Sequence, residues 1–223
     1  MVKLLVGDCT FAAGRLLSTP MNLPNRLTIA RIGMTGVFVA AMLLPRDGVI
    51  MSHFPYGKTL ALVIFGLAAL TDWLDGWLAR RNKLETNFGA LLDPVADKVL
   101  TTAAFICFIE QQNYKGQSLV QAWMVLIIVA RDFLVTGLRL VAGSNGVVVK
   151  AEQLGKHKTI SQMSTIIVVL VGLAARDDWA LGGTNFDVIY CRVVLGMMIA
   201  TVILTVWSGF GYFWRNRDIF NDG

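Results

Sequence analysis

The stretch KTLALVIFGLAALTDWLDGWLAR, residues 58–80, carries no charge between Lys58 and Asp72 and then places a second aspartate at Asp75. A helix needs about 20 residues to cross ~30 Å of hydrocarbon, and the stretch is long enough to do so. Only helices and closed barrels satisfy their backbone groups in lipid, and the sequence has no alternating strand pattern. The stretch therefore predicts a membrane-spanning helix that ends in acidic residues.

The rest of the chain has the same apolar character. Hydrophobic residues make up 55% of the 223 residues and charged residues 16%, proportions that are rare in water-soluble domains. We predict an all-α, polytopic membrane protein with six transmembrane helices. The predicted spans are 27–45, 58–79, 88–109, 118–143, 159–175 and 189–213.

The segments outside these spans are short. In residues 1–21 the charges of Asp8 and Arg15 interrupt any signal-peptide core, so we predict a short N-terminal interfacial helix on the cytoplasmic surface. Residues 22–215 then form one membrane domain, and residues 216–223 form a cytoplasmic tail.

The distribution of lysine and arginine predicts the orientation. Thirteen of the 20 basic residues lie on the side of the N-terminal segment, the loops after the second and fourth spans, and the tail. Basic loops stay in the cytoplasm, so both termini are predicted to be cytoplasmic in a multi-pass protein of the cytoplasmic (inner) membrane. A basic face beside anionic membrane lipids also explains the net charge of +5 without a nucleic-acid partner.

Four aspartates near the cytoplasmic ends of the second and third spans predict the active site. Asp72 and Asp75 are three residues apart, and Asp93 and Asp97 are four apart, so each pair lies on one helix face. The two pairs are at matched distances from the loop that joins the spans. Carboxylates so close together repel one another unless cations compensate them. Ligands with oxygen only favour Mg²⁺ or Mn²⁺, and two ions would balance four charges and could bind a diphosphate.

A purely structural interpretation of the aspartates remains open. They could pair with Arg80, Arg81, Lys83 and Lys98, and Asp93 before Pro94 could cap a helix. The small residues nearby favour a ligand site instead. Gly76 and Gly89 leave space for a ligand or partner helix, and Arg80 could bind a phosphate.

Residues 72–97 read D-W-L-D-G-W-L-A-R, eight residues, then G-A-L-L-D-P-V-A-D. This resembles the signature of the CDP-alcohol phosphatidyltransferases, D-x2-D-G-x2-A-R-x8-G-x3-D-x3-D, at every fixed position. The resemblance implies a six-helix membrane enzyme, usually a homodimer, that transfers a phosphatidyl or similar group from a CDP-linked lipid to an alcohol and releases CMP. It also implies site residues: the metal ligands Asp72, Asp75, Asp93 and Asp97, with Asp97 also the general base, and the CDP-binding positions Gly76, Ala79, Arg80 and Gly89.

The acceptor alcohol is predicted from three further segments, NLPNRLTIARI (22–32), ARDFLVTGLRL (130–140) and LGKHKTISQM (154–163). They resemble bacterial members of the family that make phosphatidylglycerophosphate, which use CDP-diacylglycerol and glycerol 3-phosphate. A phosphorylated acceptor needs additional cations. The candidates for binding its phosphate are Arg131, Arg139, Lys156, Lys158, Arg31 and Thr28.

Each of these candidates also has a structural explanation. Arg131 could pair with Asp132, Lys156 and Lys158 could be a positive-inside flank, and Arg31 and Thr28 could be interfacial anchors. Three alternative functions also remain. The acceptor could be serine, inositol phosphate or phosphatidylglycerol, or the aspartates could line a divalent-cation transporter, or the protein could be a structural scaffold. The transporter is disfavoured because the far halves of the second and third spans offer no polar path.

Overall fold

The computed structural model describes residues 23–43, 56–82, 87–144 and 153–215. The predicted interfacial helix and the tail lie outside these residues. The described residues form six long helices and no strand. They are α1 (Leu23–Leu43), α2 (Gly57–Asn82), α3 (Asn87–Glu110), α4 (Ala122–Ser144), α5 (Gln153–Leu173), which continues into a π-helical turn (Ala174–Asp178), and α6 (Thr184–Arg215). In residues 23–28, 72–82, 87–97, 139–144, 153–154 and 215, the helical backbone is described but the side chains are not.

The helices pack in two groups, which are connected by α5 and by the contact of α4 with α3. Helix α1 packs on α2 and α3, α6 packs on α4 and α5, and α5 also contacts α2 and α3. Phenylalanines fill the core between the first three helices, where the rings of Phe38 and Phe65 lie 6.0 Å apart. Small residues such as Ala61 and Ala68 on α2 let the neighbouring helices approach.

Helix α6 illustrates why this sequence forms membrane-type helices. Its buried positions recur every three or four residues, as one helical face requires. They are Tyr190, Val194, Met198, Thr201, Thr205, Ser208 and Tyr212. The outward face carries exposed large apolar side chains, including Ile203, Trp207, Phe210 and Trp214. An extensive exposed apolar surface of this kind is typical of contact with lipid or with another protein.

Two helical segments are long and apolar enough to cross a membrane, Gly155–Asp178 and Thr184–Trp214. Two shorter apolar helical segments, Ile29–Leu43 and Gly57–Thr71, also lie within the part of the chain that the structure describes. The all-helical prediction is therefore confirmed for the described residues, together with the presence of candidate membrane spans. The number of spans stays a prediction.

Four helices begin four or more residues away from the predicted spans, and the first of them is α1, which begins at Leu23 instead of 27. Helix α4 begins at Ala122 instead of 118, because Asn113 and Gly116 turn the preceding chain; the Asn113 Oδ1 accepts the backbone N–H groups of Lys115 and Gln117. Helices α5 and α6 begin six and five residues earlier than predicted. Their first turns are polar, so a search for apolar residues misses them.

Polar contacts hold one end of the bundle together. The Lys58 Nζ donates to the carbonyl of Met42 at the end of α1 (2.7 Å). The backbone N–H and hydroxyl of Thr59 donate to the Asp178 Oδ2 at 2.6 and 2.8 Å. The ends of α1 and of the π-helical turn therefore meet the start of α2, as expected if successive helices run in opposite directions. In the same π-helical turn the Arg176 Nε donates to the Asp177 Oδ1 at 2.7 Å, and we call Lys58, Thr59, Arg176, Asp177 and Asp178 the Lys58 cluster.

Candidate active site

All four aspartates of the predicted metal site lie in helical backbone. Asp72 and Asp75 lie ten and seven residues before the end of α2 at Asn82, and Asp97 and Asp93 lie ten and six residues after the start of α3 at Asn87. Their side chains are outside the described part of the structure, so the metal-ligand prediction is not tested. Among the side chains that are described, no three histidine, cysteine, aspartate or glutamate residues form a cluster suited to a metal ion.

The predicted CDP-binding positions are in the same two helices. Gly76, Ala79 and Arg80 are in α2 and Gly89 is in α3. The side-chain surroundings of these residues also lie outside the described part of the structure. The same holds for the side chains of Thr28 in α1 and Arg139 in α4. Their assignments stay predictions.

A polar cluster is described in full between α4, α5 and α6. The Lys158 Nζ donates to both carboxylate oxygens of Asp132. The Gln162 Nε2, one turn further along α5, donates to the Asp132 Oδ2 at 3.4 Å. All three side chains are at least nine-tenths buried, so this is an ion pair inside the helix bundle.

Arg131 extends the cluster to α6. Its Nη1 lies 3.4 Å from the Asp132 Oδ1, and its Nη2 donates to the Ser208 Oγ at 2.5 Å. The side chain passes Gly209, where an added Cβ would come within 3.1 Å of the Arg131 Cγ. The absent side chain at Gly209 therefore leaves room for the arginine. We call Arg131, Asp132, Lys158, Gln162 and Ser208 the Asp132 cluster.

The structure brings some of the predicted acceptor residues together and not others. Arg131 and Lys158 share Asp132 as a partner. Arg31 is buried in α1, the helix that packs on α2 and α3. Lys156 is exposed at the start of α5. Two predicted cations, one buried and one partly buried, are thus in one network, whereas Lys156 is on the surface.

The Asp132 cluster is also connected to the helix that carries Asp97. Helices α3 and α5 pack together, and α3 carries Asp97. Since α4 packs on α3 as well, the cations and one aspartate pair belong to helices in direct contact.

The sequence predicted Asp132 only as a possible partner of Arg131. It did not predict a role for Gln162 or Ser208. Asp132 had a usable signal, because a carboxylate within the apolar run WMVLIIVARDFLVTGL is costly unless it has a role. Gln162 and Ser208 had none, since single polar residues are common in helices of this kind. The pairing of Asp132 with Lys158 joins residues 26 positions apart and has no local signature.

Comparisons with known proteins extend these observations. The chain is 38% identical over 201 residues to a protein of Bacillus subtilis (strain 168), which covers 88% of this chain and 96% of the relative. It is 36% identical over 203 residues to a protein of Sodalis glossinidius, at 90% and 98% coverage, and 33% identical over 193 residues to a protein of Rickettsia bellii, at 86% and 93% coverage. Each relative is named CDP-diacylglycerol–glycerol-3-phosphate 3-phosphatidyltransferase.

The family match covers most of the chain. Residues 21–207 match the family described as CDP-alcohol phosphatidyltransferase, and this range includes the whole aspartate motif and the Asp132 cluster apart from Ser208. The chain therefore belongs to the CDP-alcohol phosphatidyltransferase family and is an enzyme of that kind.

Proposed function

We propose that this enzyme transfers the phosphatidyl group of CDP-diacylglycerol to the sn-1 hydroxyl of glycerol 3-phosphate, giving phosphatidylglycerophosphate and CMP. The names of the relatives, which this chain matches over nearly their whole length, support both substrates. The structural observation that carries the acceptor is that the buried Lys158 and the partly buried Arg131 belong to one network. Buried cations inside a membrane bundle are costly, and a phosphorylated substrate gives them a role.

Divalent metal ions are general cofactors of the family, and the donor set of this chain suits them. Asp72, Asp75, Asp93 and Asp97 supply only oxygen ligands, which Mg²⁺ and Mn²⁺ prefer. We propose that these four aspartates hold two such ions in each active site. When bound, the ions would polarise the diphosphate and stabilise charge on the departing CMP.

Residues of the chain then bind and orient the two substrates. The small residues Gly76, Ala79 and Gly89 leave space for the CDP group, and Arg80 offers a planar pair of donors to its phosphates. Asp97 accepts the proton of the sn-1 hydroxyl as that oxygen attacks the β-phosphorus.

The acceptor phosphate is bound by cations from several helices. Arg131 and Lys158 form the buried part of this site, and Arg139, Lys156, Arg31 and Thr28 complete it. Charge-assisted hydrogen bonds from two or more of them fix the phosphate and so orient the hydroxyl for attack.

The proposed setting is the cytoplasmic (inner) membrane. All six helices span the bilayer, both termini are cytoplasmic, and the active site opens on the cytoplasmic side. Residues 22–215 form the membrane domain, and the enzyme is a homodimer. The apolar outward face of α6 and the two span-length helical segments support membrane insertion, and the basic loops support the orientation.

The decisive experiment supplies the purified full-length chain with Mg²⁺, CDP-diacylglycerol and one alcohol at a time. We expect CMP release with glycerol 3-phosphate and loss of that release when a chelator removes the metal. Release only with serine, inositol phosphate or phosphatidylglycerol would contradict the proposed acceptor. Asp97→Asn should lower turnover by at least about 100-fold while CDP-diacylglycerol still binds, and near-normal turnover would refute its role as base.

A further inference from the structure

The carboxylate of Asp132 is the common partner of three side chains that donate hydrogen bonds. Lys158 donates to both of its oxygens, Gln162 to Oδ2, and Arg131 lies against Oδ1. We propose that Asp132 is a positioning residue of the acceptor site, which holds Lys158 and Arg131 where they bind the phosphate of glycerol 3-phosphate. This inference rests on the proposed function.

Charge explains why a carboxylate is needed at this position. Lys158 and Arg131 have like charges and share one partner; Lys158 is buried and Arg131 is partly buried, so their repulsion is only weakly screened. Asp132 compensates one of the two positive charges and leaves the cluster with a net charge of +1. That remaining charge can attract an anionic phosphate.

Geometry explains how one residue can set both cations. Asp132 and Arg131 are adjacent on α4, so their side chains leave the helix about 100° apart. Asp132 pairs with Lys158 and Gln162 on α5, whereas Arg131 reaches Ser208 on α6. Lys158 and Arg131 therefore lie against α5 and α6 respectively, and the Asp132 carboxylate contacts both cations.

The lysine has donor capacity left for a ligand. An ammonium group has three N–H donors, and two of the hydrogen bonds in the structure go to Asp132. The third donor can bind a phosphate oxygen while the carboxylate keeps the group in place. Asp132 therefore acts on the acceptor through Lys158 and does not itself contact the phosphate.

The test measures both Michaelis constants of the purified full-length enzyme in detergent–lipid micelles that contain CDP-diacylglycerol and Mg²⁺. In Asp132→Asn the side chain keeps its size but loses its charge. We expect the KM for glycerol 3-phosphate to rise at least about tenfold, because a hydrogen bond to a charged group is lost. The KM for CDP-diacylglycerol should stay within about twofold of the wild-type value.

Two comparison variants separate positioning from simple helix packing. Asp132→Glu keeps the charge and should restore most of the affinity for glycerol 3-phosphate. Ser161→Ala is the matched control, since it removes a hydrogen bond between α5 and α6, to Thr201 at 2.8 Å, without touching Asp132. Its Michaelis constants should not change.

The inference is overturned if Asp132→Asn leaves the KM for glycerol 3-phosphate unchanged. It is also overturned if both Michaelis constants and kcat change together, or if Asp132→Glu fails to recover affinity while it folds normally, because either result indicates a packing role alone.

A second variant keeps the test open if Asp132→Asn does not fold. Gln162→Leu removes one donor to the carboxylate and leaves the ion pair, so the KM for glycerol 3-phosphate should rise about two- to fivefold. An unchanged value would refute the inference. Wild-type turnover with glycerol 3-phosphate tests the proposed function by itself, whereas the ratio of variant to wild-type KM tests Asp132, so the two can fail separately.

Discussion

The Lys58 cluster and the Asp132 cluster use the same kinds of side chain in different ways. In the Lys58 cluster, besides the hydrogen bonds of Thr59 to Asp178, charged groups bind backbone carbonyls: Lys58 donates to that of Met42, and Arg176 donates to that of Gln112 at 2.8 Å. In the Asp132 cluster, the described hydrogen bonds join side chains to other side chains across three helices.

From this difference we propose that the Lys58 cluster is structural and that the Asp132 cluster binds substrate. Carbonyls at helix ends lack partners within the helix, so a lysine or arginine that binds them stabilises a chain reversal. The interior positions of α4 and α5 have no such need, because helical hydrogen bonds already satisfy their backbone. Apolar residues would pack there at lower cost, so the charges of the Asp132 cluster require another explanation, and we propose that this explanation is substrate binding.

The largest expected effect is that of replacing Lys158, which is compared with the same replacement of Lys58. Lys158→Met keeps the length of the side chain but leaves Asp132 buried without its main partner, and we expect kcat/KM for glycerol 3-phosphate to fall at least about 100-fold. Lys58→Met should keep kcat/KM within about threefold and lower the free energy of unfolding by about 1 kcal/mol, because it loses one hydrogen bond to a carbonyl.

Both variants are assayed by CMP release and by thermal unfolding in the same detergent. Equal losses of activity in the two variants would remove the distinction between the clusters. A Lys158→Met enzyme with normal affinity for glycerol 3-phosphate would remove Lys158 from the acceptor site.

The second prediction breaks the packing near the Lys58 cluster. An added Cβ at Gly172 would come 2.0 Å from the Tyr190 ring, which is stacked on Phe186 and donates its hydroxyl to the carbonyl of Val169 at 2.8 Å. A shift of the ring away from the added Cβ also strains that hydrogen bond. Gly172→Ala should therefore destabilise the protein by about 2–3 kcal/mol, measured as a lower thermal midpoint.

The matched control is Gly196→Ala on α6, where an added Cβ meets nothing within 4 Å. It should be neutral or slightly stabilising, since alanine favours helix. If Gly172→Ala is as stable as this control, the close contact of the Tyr190 ring with Gly172 of α5 is refuted.

These contrasts also explain what the sequence could predict. Hydropathy located all six long helices of the described residues because the apolar runs are local features, and the polar starts of α5 and α6 were missed for the same reason. The aspartate motif and its family were recognisable because spacing within two neighbouring helices is also local. The ion pair between Lys158 and Asp132 was not predictable from the sequence, because other ways of packing the helices would give each residue a different partner.

The third prediction weakens the Lys58 cluster without a clash. Asp178→Asn keeps the acceptor oxygen for Thr59 but removes the charge that strengthens hydrogen bonds of 2.6 and 2.8 Å. The free energy of unfolding should fall by about 1 kcal/mol, and both Michaelis constants should stay at their wild-type values. A change in the KM for glycerol 3-phosphate would mean that this end of the bundle is coupled to the acceptor site.

The smallest expected effect comes from adding a single methyl group next to Arg131 of the Asp132 cluster. Gly209→Ala places a Cβ 3.1 Å from the Arg131 Cγ, so the arginine must shift by a few tenths of an ångström against Ser208. We expect the KM for glycerol 3-phosphate to rise about threefold, while the free energy of unfolding changes by less than about 1 kcal/mol because alanine also favours helix. Gly196→Ala again serves as the control on the same helix. A variant that loses stability but keeps its affinity for glycerol 3-phosphate would make Arg131 a packing residue, and the two clusters would then differ only in the helices that they join.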